Sequence, residues 1–336
     1  MTSETAADPV TRIAEASRRL ADARAEIAKR IVGQDTVVSL ALTTILSGGH
    51  ALLVGVPGLA KTRLVETLGT VLGLDNARIQ FTPDLMPADI LGSEVLETGS
   101  DGSRAFKFIK GPIFTRLLMA DEINRASPRT QSALLQAMQE KIVTVAGESR
   151  ALGRPFHVLA TQNPIEQEGT YPLPEAQLDR FLLQIDVEYP TRDEEREILL
   201  ATTGADDAEA QPVFDAEELL AMQRLVREMP VGESVVEAIL TLVRSARPDS
   251  AEASPAAREK LAFGPGPRAA QALMLAVRAR ALIEGRLAPS LEDVTSLATA
   301  AMEHRMALTF GARAEGVTIR SVIDEILAAR PLEVAA

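Results

Sequence analysis

The chain has 336 residues, long for one globular domain and comfortable for two, and with 46% apolar and 24% charged residues it can bury a real core. Aromatic residues are only 3%, nine Phe and two Tyr with no Trp, so the core is built from Ala, Leu, Val and Ile, a composition that favours helices packed on a buried sheet. A formal net charge of −12 disfavours non-specific binding to nucleic acid or anionic lipid, and the absence of Cys excludes disulfides, thiolate nucleophiles and Cys-ligated zinc or iron–sulfur sites.

Residues 1–9 are polar and acidic, unlike a secretory signal, and no run approaches the ~20 apolar residues that cross a bilayer, so a soluble, cytoplasmic protein is expected. Ile13, Ala16, Leu20, Ala23, Ile27 and Ile31 then recur at steps of three and four and predict one face of a long helix. A second helix is expected over 35–47, stopped by Gly48-Gly49. Ala51-Leu52-Leu53-Val54 is an unbroken apolar run ending at glycine, the pattern of a strand buried on both faces. Leu64, Val65, Leu68, Val71 and Leu72 follow at helical spacing.

Short apolar runs return at 79–81, 117–120, 158–161 and 182–187, with a helix expected over 129–140, and the alternation predicts a parallel sheet between helices. Two antiparallel ribbons are expected as insertions. One spans 93–109 and turns at Gly99-Ser100-Asp101-Gly102; the other spans 142–158 and turns between Gly147 and Gly153. Beyond Tyr189-Pro190 the strand signal stops, and 203–212 reads as a small, acidic, mobile loop. Asp215 with Glu218 and Ser290 with Asp293 have capping-box spacing, and apolar stripes follow at Leu291, Val294, Leu297, Ala298 and Ala301 and at Ile319, Val322, Ile323 and Ile326. The expected division is an N-terminal helix over 1–30, an α/β domain over 31–190 and a helical domain over 191–336.

The residues that carry chemistry begin with Gly55-Val56-Pro57-Gly58-Leu59-Ala60-Lys61-Thr62-Arg63, between a buried strand and the start of a helix. Free N–H groups and the positive end of the helix dipole favour a phosphate there, and glycines let the backbone approach its oxygens. Lys61 would reach the β- and γ-phosphates of a nucleotide, and the Thr62 hydroxyl would ligand Mg²⁺. Ala60 stands where the general pattern has glycine, and read alone the segment is equally a structural Gly/Pro turn. A second apolar strand, Leu117-Leu118-Met119-Ala120, ends in Asp121-Glu122. Asp121 would hold Mg²⁺ through water, and Glu122 would polarise a water for attack on the γ-phosphate. A strand ending in acids is by itself a cheap signal; joined in this order to the glycine-rich loop, the two point to a nucleoside triphosphate site.

The sequence resembles the MoxR family of AAA+ ATPases from about Ile31 to the C-terminal helices. The matching stretches are Gly-Val-Pro-Gly-Leu-Ala-Lys-Thr with its alanine, 81–90 (Phe-Thr-Pro-Asp-Leu-Met-Pro-Ala-Asp-Ile), Lys110-Gly111-Pro112-Ile113, Asp121-Glu122-Ile123-Asn124-Arg125-Ala126, Ala160-Thr161-Gln162-Asn163-Pro164 and Leu178-Asp179-Arg180-Phe181. The resemblance implies an AAA+ P-loop NTPase core followed by an all-helical lid, with ATP and Mg²⁺ as cofactors. It implies that Asn163 is the sensor-1 amide beside the γ-phosphate, where a bland reading of Asn-Pro is a turn opener. Arg180 would be the arginine finger reaching a neighbouring subunit; the alternative is a surface ion pair with Asp179 or Glu175. Arg125 is a second residue that would face a neighbour. Arg268 matches sensor 2 and would contact the phosphates in cis, and Ile31-Val32-Gly33-Gln34 matches the segment beside the adenine, or else is a helix–helix turn. The ribbon over 93–109 matches the family's insert, where Phe106 and Phe108 either touch a client or cover an apolar face.

By the same resemblance the protein is expected to be a Mg²⁺-dependent ATPase in a ring, a homohexamer, remodelling or activating a client protein together with a von Willebrand A-domain partner. The competing expectations are a nucleic-acid-translocating motor, disfavoured by the acidic balance and few aromatics, a chelatase-type motor subunit, and a nucleotide-gated scaffold. His50, His157 and His304 lack metal-ligand spacing and, with Met302 and Met306, are expected to be structural.

Overall fold

The computed structural model describes residues 8–98, 103–165, 169–203 and 209–329. The expected helix forms as α1 (Pro9–Ala28) and buries Ile13, Ala16, Leu20, Ala23 and Ile27 as a single stripe, while α2 (Asp35–Leu46) ends where Gly48 turns left-handed. Then come β1 (Ala51–Val54), α3 (Lys61–Val71), β2 (Asn76–Gln80), α4 (Pro87–Leu91), β3 (Gly92–Thr98) and β4 (Arg104–Lys110). They are followed by β5 (Leu117–Asp121), α5 (Pro128–Glu140), β6 (Ile142–Val145), β7 (Glu148–Ala151), β8 (His157–Gln162), α6 (Glu175–Leu178) and β9 (Leu183–Asp186).

Five of these strands form one parallel sheet in the order β2-β5-β8-β1-β9. Both faces are covered. Leu53, Met119, Leu159 and Ile185 pack with α1, α2 and α3, whereas Leu52, Leu118, Ala120, Val158 and Ala160 pack with α5 around Phe81 and Phe181. This double burial explains the unbroken apolar runs.

The two ribbons are present with adjustments. β3 and β4 pair from Gly92–Lys110 to Thr98–Arg104, and the expected turn at 99–102 lies outside the described residues. β6 and β7 pair across a tight turn at Ala146-Gly147, so the second ribbon ends at Ala151 instead of running to 158, and β8 is a central strand of the main sheet. Part of the loop expected over 203–212, residues 204–208, also falls outside the described residues.

The remaining chain is helical: α7 (Arg192–Thr202), α8 (Ala216–Glu228), α9 (Glu233–Ser245), α10 (Pro255–Lys260), α11 (Pro267–Ile283), α12 (Leu291–Met302), α13 (Phe310–Ala314) and α14 (Ile319–Ala329). Both capping boxes form, Asp215 with Glu218 and Ser290 with Asp293. Helices α9, α11, α12 and α14 enclose a second core that includes Met302 and Met306. One feature departs from an all-helical domain: β10 (Leu261–Phe263) pairs antiparallel with β11 (Ala307–Leu308). No helix among the described residues is long and apolar enough to cross a membrane.

Candidate nucleotide site

In a parallel sheet every strand delivers the residue after its carboxyl end to the same edge. That edge receives the loop after β1, Asp121 and Glu122 from β5, and Asn163 from β8. The β1 loop bends onto α3 through Gly58 (φ 87°) and Ala60 (φ 55°); a side chain at Gly58 would meet no neighbouring atom within 4 Å, so the loop is open at that position. Ala60 adopts the left-handed conformation that the general pattern reserves for glycine.

Lys61 opens α3 and donates to the carbonyl oxygens of Gly55 and Val56, the latter at 3.1 Å. Burial lowers the pKa of its ammonium, and the negative charges of Asp121 and Glu122 oppose that shift. Lys61 thus lies within the electrostatic reach of both acids, although the phosphate loop and the acidic pair come from separate strands. Thr62 and Arg63 follow in the first turn, both half-buried.

The acids are held by groups the sequence reading did not single out. Thr161 on β8 donates from Oγ1 to Asp121 Oδ1 (2.5 Å) and accepts the Glu122 amide (2.8 Å). Arg78 on β2 reaches Asp121 Oδ2 at 2.5 Å, and Gln80 Nε2 donates to Glu122 Oε2 at 2.8 Å. Their signal was the polar alternation Asn76, Arg78, Gln80 in the strand beside β5. Glu122 has φ 54°, a strained conformation for a non-glycine residue, and its carboxylate pairs with Arg125 at 3.1 Å. The turn after it is fixed by buried Gln131, whose Nε2 donates to Ile123, Ala126 and Tyr171 oxygens. Asn163 is buried at the end of β8, its Oδ1 accepting the Ile165 amide at 3.1 Å.

Beside this edge, Gln34 donates to Leu59 O at 3.2 Å and ties the Ile31-Val32-Gly33-Gln34 segment to the phosphate loop. Ile31 is buried under α1, Val32 is half-buried, and Gly33 (φ 70°) leaves no room for a Cβ, which would come within 2.7 Å of Glu194. Gly33 and Gln34 border a cleft of about 540 Å³ between the sheet domain and the helical domain, with Tyr189 and Pro190 on one wall and Thr299 and Arg320 on the other.

Arg180 and Arg268 lie elsewhere. They line a cleft of about 260 Å³ with Gly49 and His50, the residues just before β1, and so stand at the amino ends of the strands, opposite the phosphate loop. The expected cis contact of Arg268 with its own subunit's phosphates is therefore corrected: α11 starts beside Asp179, 3.8 Å from the Arg268 guanidinium, on the far side of the sheet from Lys61. Arg180 pairs with neither Asp179 nor Glu175; Asp179 is taken by Arg305 at 2.7 Å. Arg305 is 4% exposed and also donates to the carbonyls of Phe181 (2.5 Å) and Leu182 (3.1 Å), so the helical domain grips the segment that carries Arg180.

A half-buried ammonium facing two carboxylates at a loop of open, left-handed backbone defines a P-loop ATPase core with an attached lid. Residues 50–183 match the ATPase family associated with various cellular activities (AAA), and 253–326 match the AAA lid domain. The chain is 41% identical to the Chaperone MoxR1 of Mycobacterium tuberculosis over 90% of its own length and 79% of that protein, and 40% identical to YeaC of Bacillus subtilis over 89% and 90%. A crystal structure of a candidate ATPase from Cytophaga hutchinsonii superposes with a TM-score of 0.86 at 37% identity, covering 95% of this chain and 96% of that one. The chain belongs to the MoxR family of AAA+ ATPases.

Proposed function

We propose that the protein hydrolyses ATP with Mg²⁺ at sites shared between subunits of a ring, a homohexamer, and uses turnover to remodel or activate a client protein. The observation that carries this reading is the separation of the charges: Lys61, Asp121 and Glu122 meet at the carboxyl edge of the sheet, and Arg180 and Arg268 stand at its amino end. A phosphate at one edge needs arginines from the other edge of a neighbour.

The residues suit the nucleotide. Lys61 has no carboxylate within ion-pair distance among the described residues and spends its donors on loop carbonyls, which a β- or γ-phosphate would replace. The donor set offered to a cation is the Thr62 hydroxyl and the Asp121 carboxylate, and no cluster of three or more His, Asp or Glu forms among the described residues. That suits Mg²⁺, which takes its other oxygens from water and phosphate. Bound there, the ion would neutralise charge on the β- and γ-phosphate oxygens.

The backbone of residues 55–60 would cradle the phosphates, with Arg63 in the next turn, and Ile31, Val32 and Gly33 would border the adenine. Glu122 would accept a proton from the attacking water, and the Asn163 amide would orient that water without competing for its proton. Arg180, with Arg268 beside it, would stabilise charge building on the γ-phosphoryl group of the next subunit, a contribution of about 10³–10⁵ in rate.

The chaperone role carries over from the name of the Mycobacterium relative, and the von Willebrand A-domain partner from the family resemblance. Glu122→Gln is expected to bind ATP and stop turnover, and Arg180→Ala to be as inactive. Mixing the two should restore activity, because half of the mixed contacts join an intact Glu122 to an intact Arg180; a mixture as dead as its components would refute shared sites. Proteins that co-purify with Glu122→Gln in ATP would identify the client.

A further inference from the structure

Helix α7 touches the sheet domain at its first turn, where Glu194 packs against Gly33. None of its described residues is buried, although a helix of 11 residues draws its stability from packing an apolar face. Leu199 and Leu200 are 61% and 67% exposed, and Asp193, Glu195 and Glu197 hold no ion pair among the described residues. With Asp193, Glu194, Glu195 and Glu197 against Arg192 and Arg196, the helix carries a formal net charge of −2 and two bare leucines. Its N-cap Thr191 and first-turn Glu194 border the cleft between the sheet domain and the helical domain, beside Gly33.

In the helical domain, α9 and α11 leave an apolar groove of about 470 Å³ lined by Val236, Ile239, Leu240, Met274 and Leu275. Leu240 is 41% exposed. The groove is basic at its rim. Arg227 lines it and Lys141 lines the adjoining cleft of Arg180 and Arg268; burial lowers the pKa of Lys141, helped by the charges of Arg154 and then Arg227, and burial and then Arg227 lower that of Arg278. None of the three has a carboxylate within 4 Å among the described residues. Gln271 and Leu275 are shared with the cleft that holds Arg180 and Arg268, so the groove continues directly from the arginines.

We propose that the groove receives α7 of a second copy of this chain, Leu199 and Leu200 entering between α9 and α11 while the acids of α7 face Arg227, Lys141 and Arg278. The spacing agrees. From Glu194, which packs against Gly33, to Leu200 is six residues, and from Arg268 to Met274 is also six, about 9 Å along each helix. Arginines delivered to a neighbour's nucleotide therefore bring the groove alongside that neighbour's α7. The contact is head-to-tail, uses different surfaces of each copy, and closes into a ring instead of a symmetric pair. It rests on the shared-site reading above and adds to it a named surface outside the catalytic residues.

The cysteine-free chain allows a direct test. Leu200→Cys and Met274→Cys in one chain, assembled with ATP and mildly oxidised, should give a ladder of covalent oligomers. Either single variant should give none, and a mixture of the two singles should stop at dimers. Leu200→Glu, at an exposed position that leaves the fold and ATP binding intact, should raise the concentration for half-assembly by at least ~10-fold. Assembly seen by light scattering without the ladder would overturn this contact and leave the ring standing. Dimers of the Leu200→Cys single would show symmetric pairing of α7 and overturn it as well. No assembly at any concentration would remove the ring reading and this contact together.

Discussion

Arg305 shows how one side chain can decide the geometry of another. Its guanidinium is enclosed by Asp179 and by the carbonyls of Phe181 and Leu182, which fixes the backbone on both sides of Arg180. Truncating one partner of such a pair leaves the other uncompensated, a loss on the order of 3 kcal/mol. Arg305→Ala is therefore expected to lower the unfolding midpoint, and Arg305→Lys, which keeps the charge but loses the fork, to lower kcat with ATP affinity unchanged. A Lys variant with wild-type kcat would show that the grip is structural alone. Arg305 was invisible in the sequence because Asp179, Phe181 and Leu182 lie more than 120 residues away, and Thr161 and Arg78 likewise stand 40 and 43 residues from Asp121. The placement of the phosphate loop and Asp121-Glu122 was legible because local order alone, strand then loop then helix and strand then acids, brings them to the carboxyl edge of the sheet. Arg268 was misread for the converse reason: its motif marks the start of a helix, and which edge of the sheet that helix starts on is set by the packing of the whole helical domain.

At the scale of elements, the buried strands and long amphipathic helices were readable because periodicity reports burial directly. The two-stranded pair of β10 and β11 was not, since strands of three and two residues are too short to show any period. The ribbon of β3 and β4 illustrates a finer limit. Alternation put Phe106 and Phe108 on one face, yet they have different fates: Phe106 is 73% exposed, and Phe108 meets Phe114 edge-on at 5.7 Å with the Arg150 guanidinium 4.0 Å above its ring. The contact joins this ribbon to the one formed by β6 and β7. Phe108→Ala should cost about 1–2 kcal/mol in thermal unfolding, through lost area and a lost cation–π contact, whereas Phe106→Ala should stay within ~0.5 kcal/mol. Equal costs would mean that Phe106 is packed in solution, and the client-contact reading would then lose its exposed aromatic.

Across the whole molecule, two sets of titrating groups pull stability in opposite directions. His50 accepts the Val158 amide at Nδ1, and His157 accepts Gln223 at Nε2, so protonating the first removes a bond between the start of β1 and β8, and protonating the second a bond between β8 and α8. Burial lowers His50 to about 3 and His157 to about 4. Their folded pKa values lie below the unfolded value of about 6.5, so the unfolded chain binds more protons and stability is lost as pH falls from 6.5 towards 4, by up to ~1.4 kcal/mol per pH unit for each ring. Glu303 works the other way. It sits in the cleft between the two domains, where burial and then the charge of Asp186 push it up to about 7, with Arg320 opposing. A raised carboxyl contributes stability that is complete below its unfolded pKa and is lost as pH rises to 7, when Glu303 and Asp186 become like charges across the cleft. The wild-type melting temperature between pH 4.5 and 7 is then a difference of two slopes. His50→Gln should tilt the profile towards acid stability, and Glu303→Gln should unmask a steady rise with pH. If Glu303→Gln leaves the profile unchanged, that carboxyl is ionised throughout the range, and the closed contact between the sheet domain and the lid does not depend on its proton.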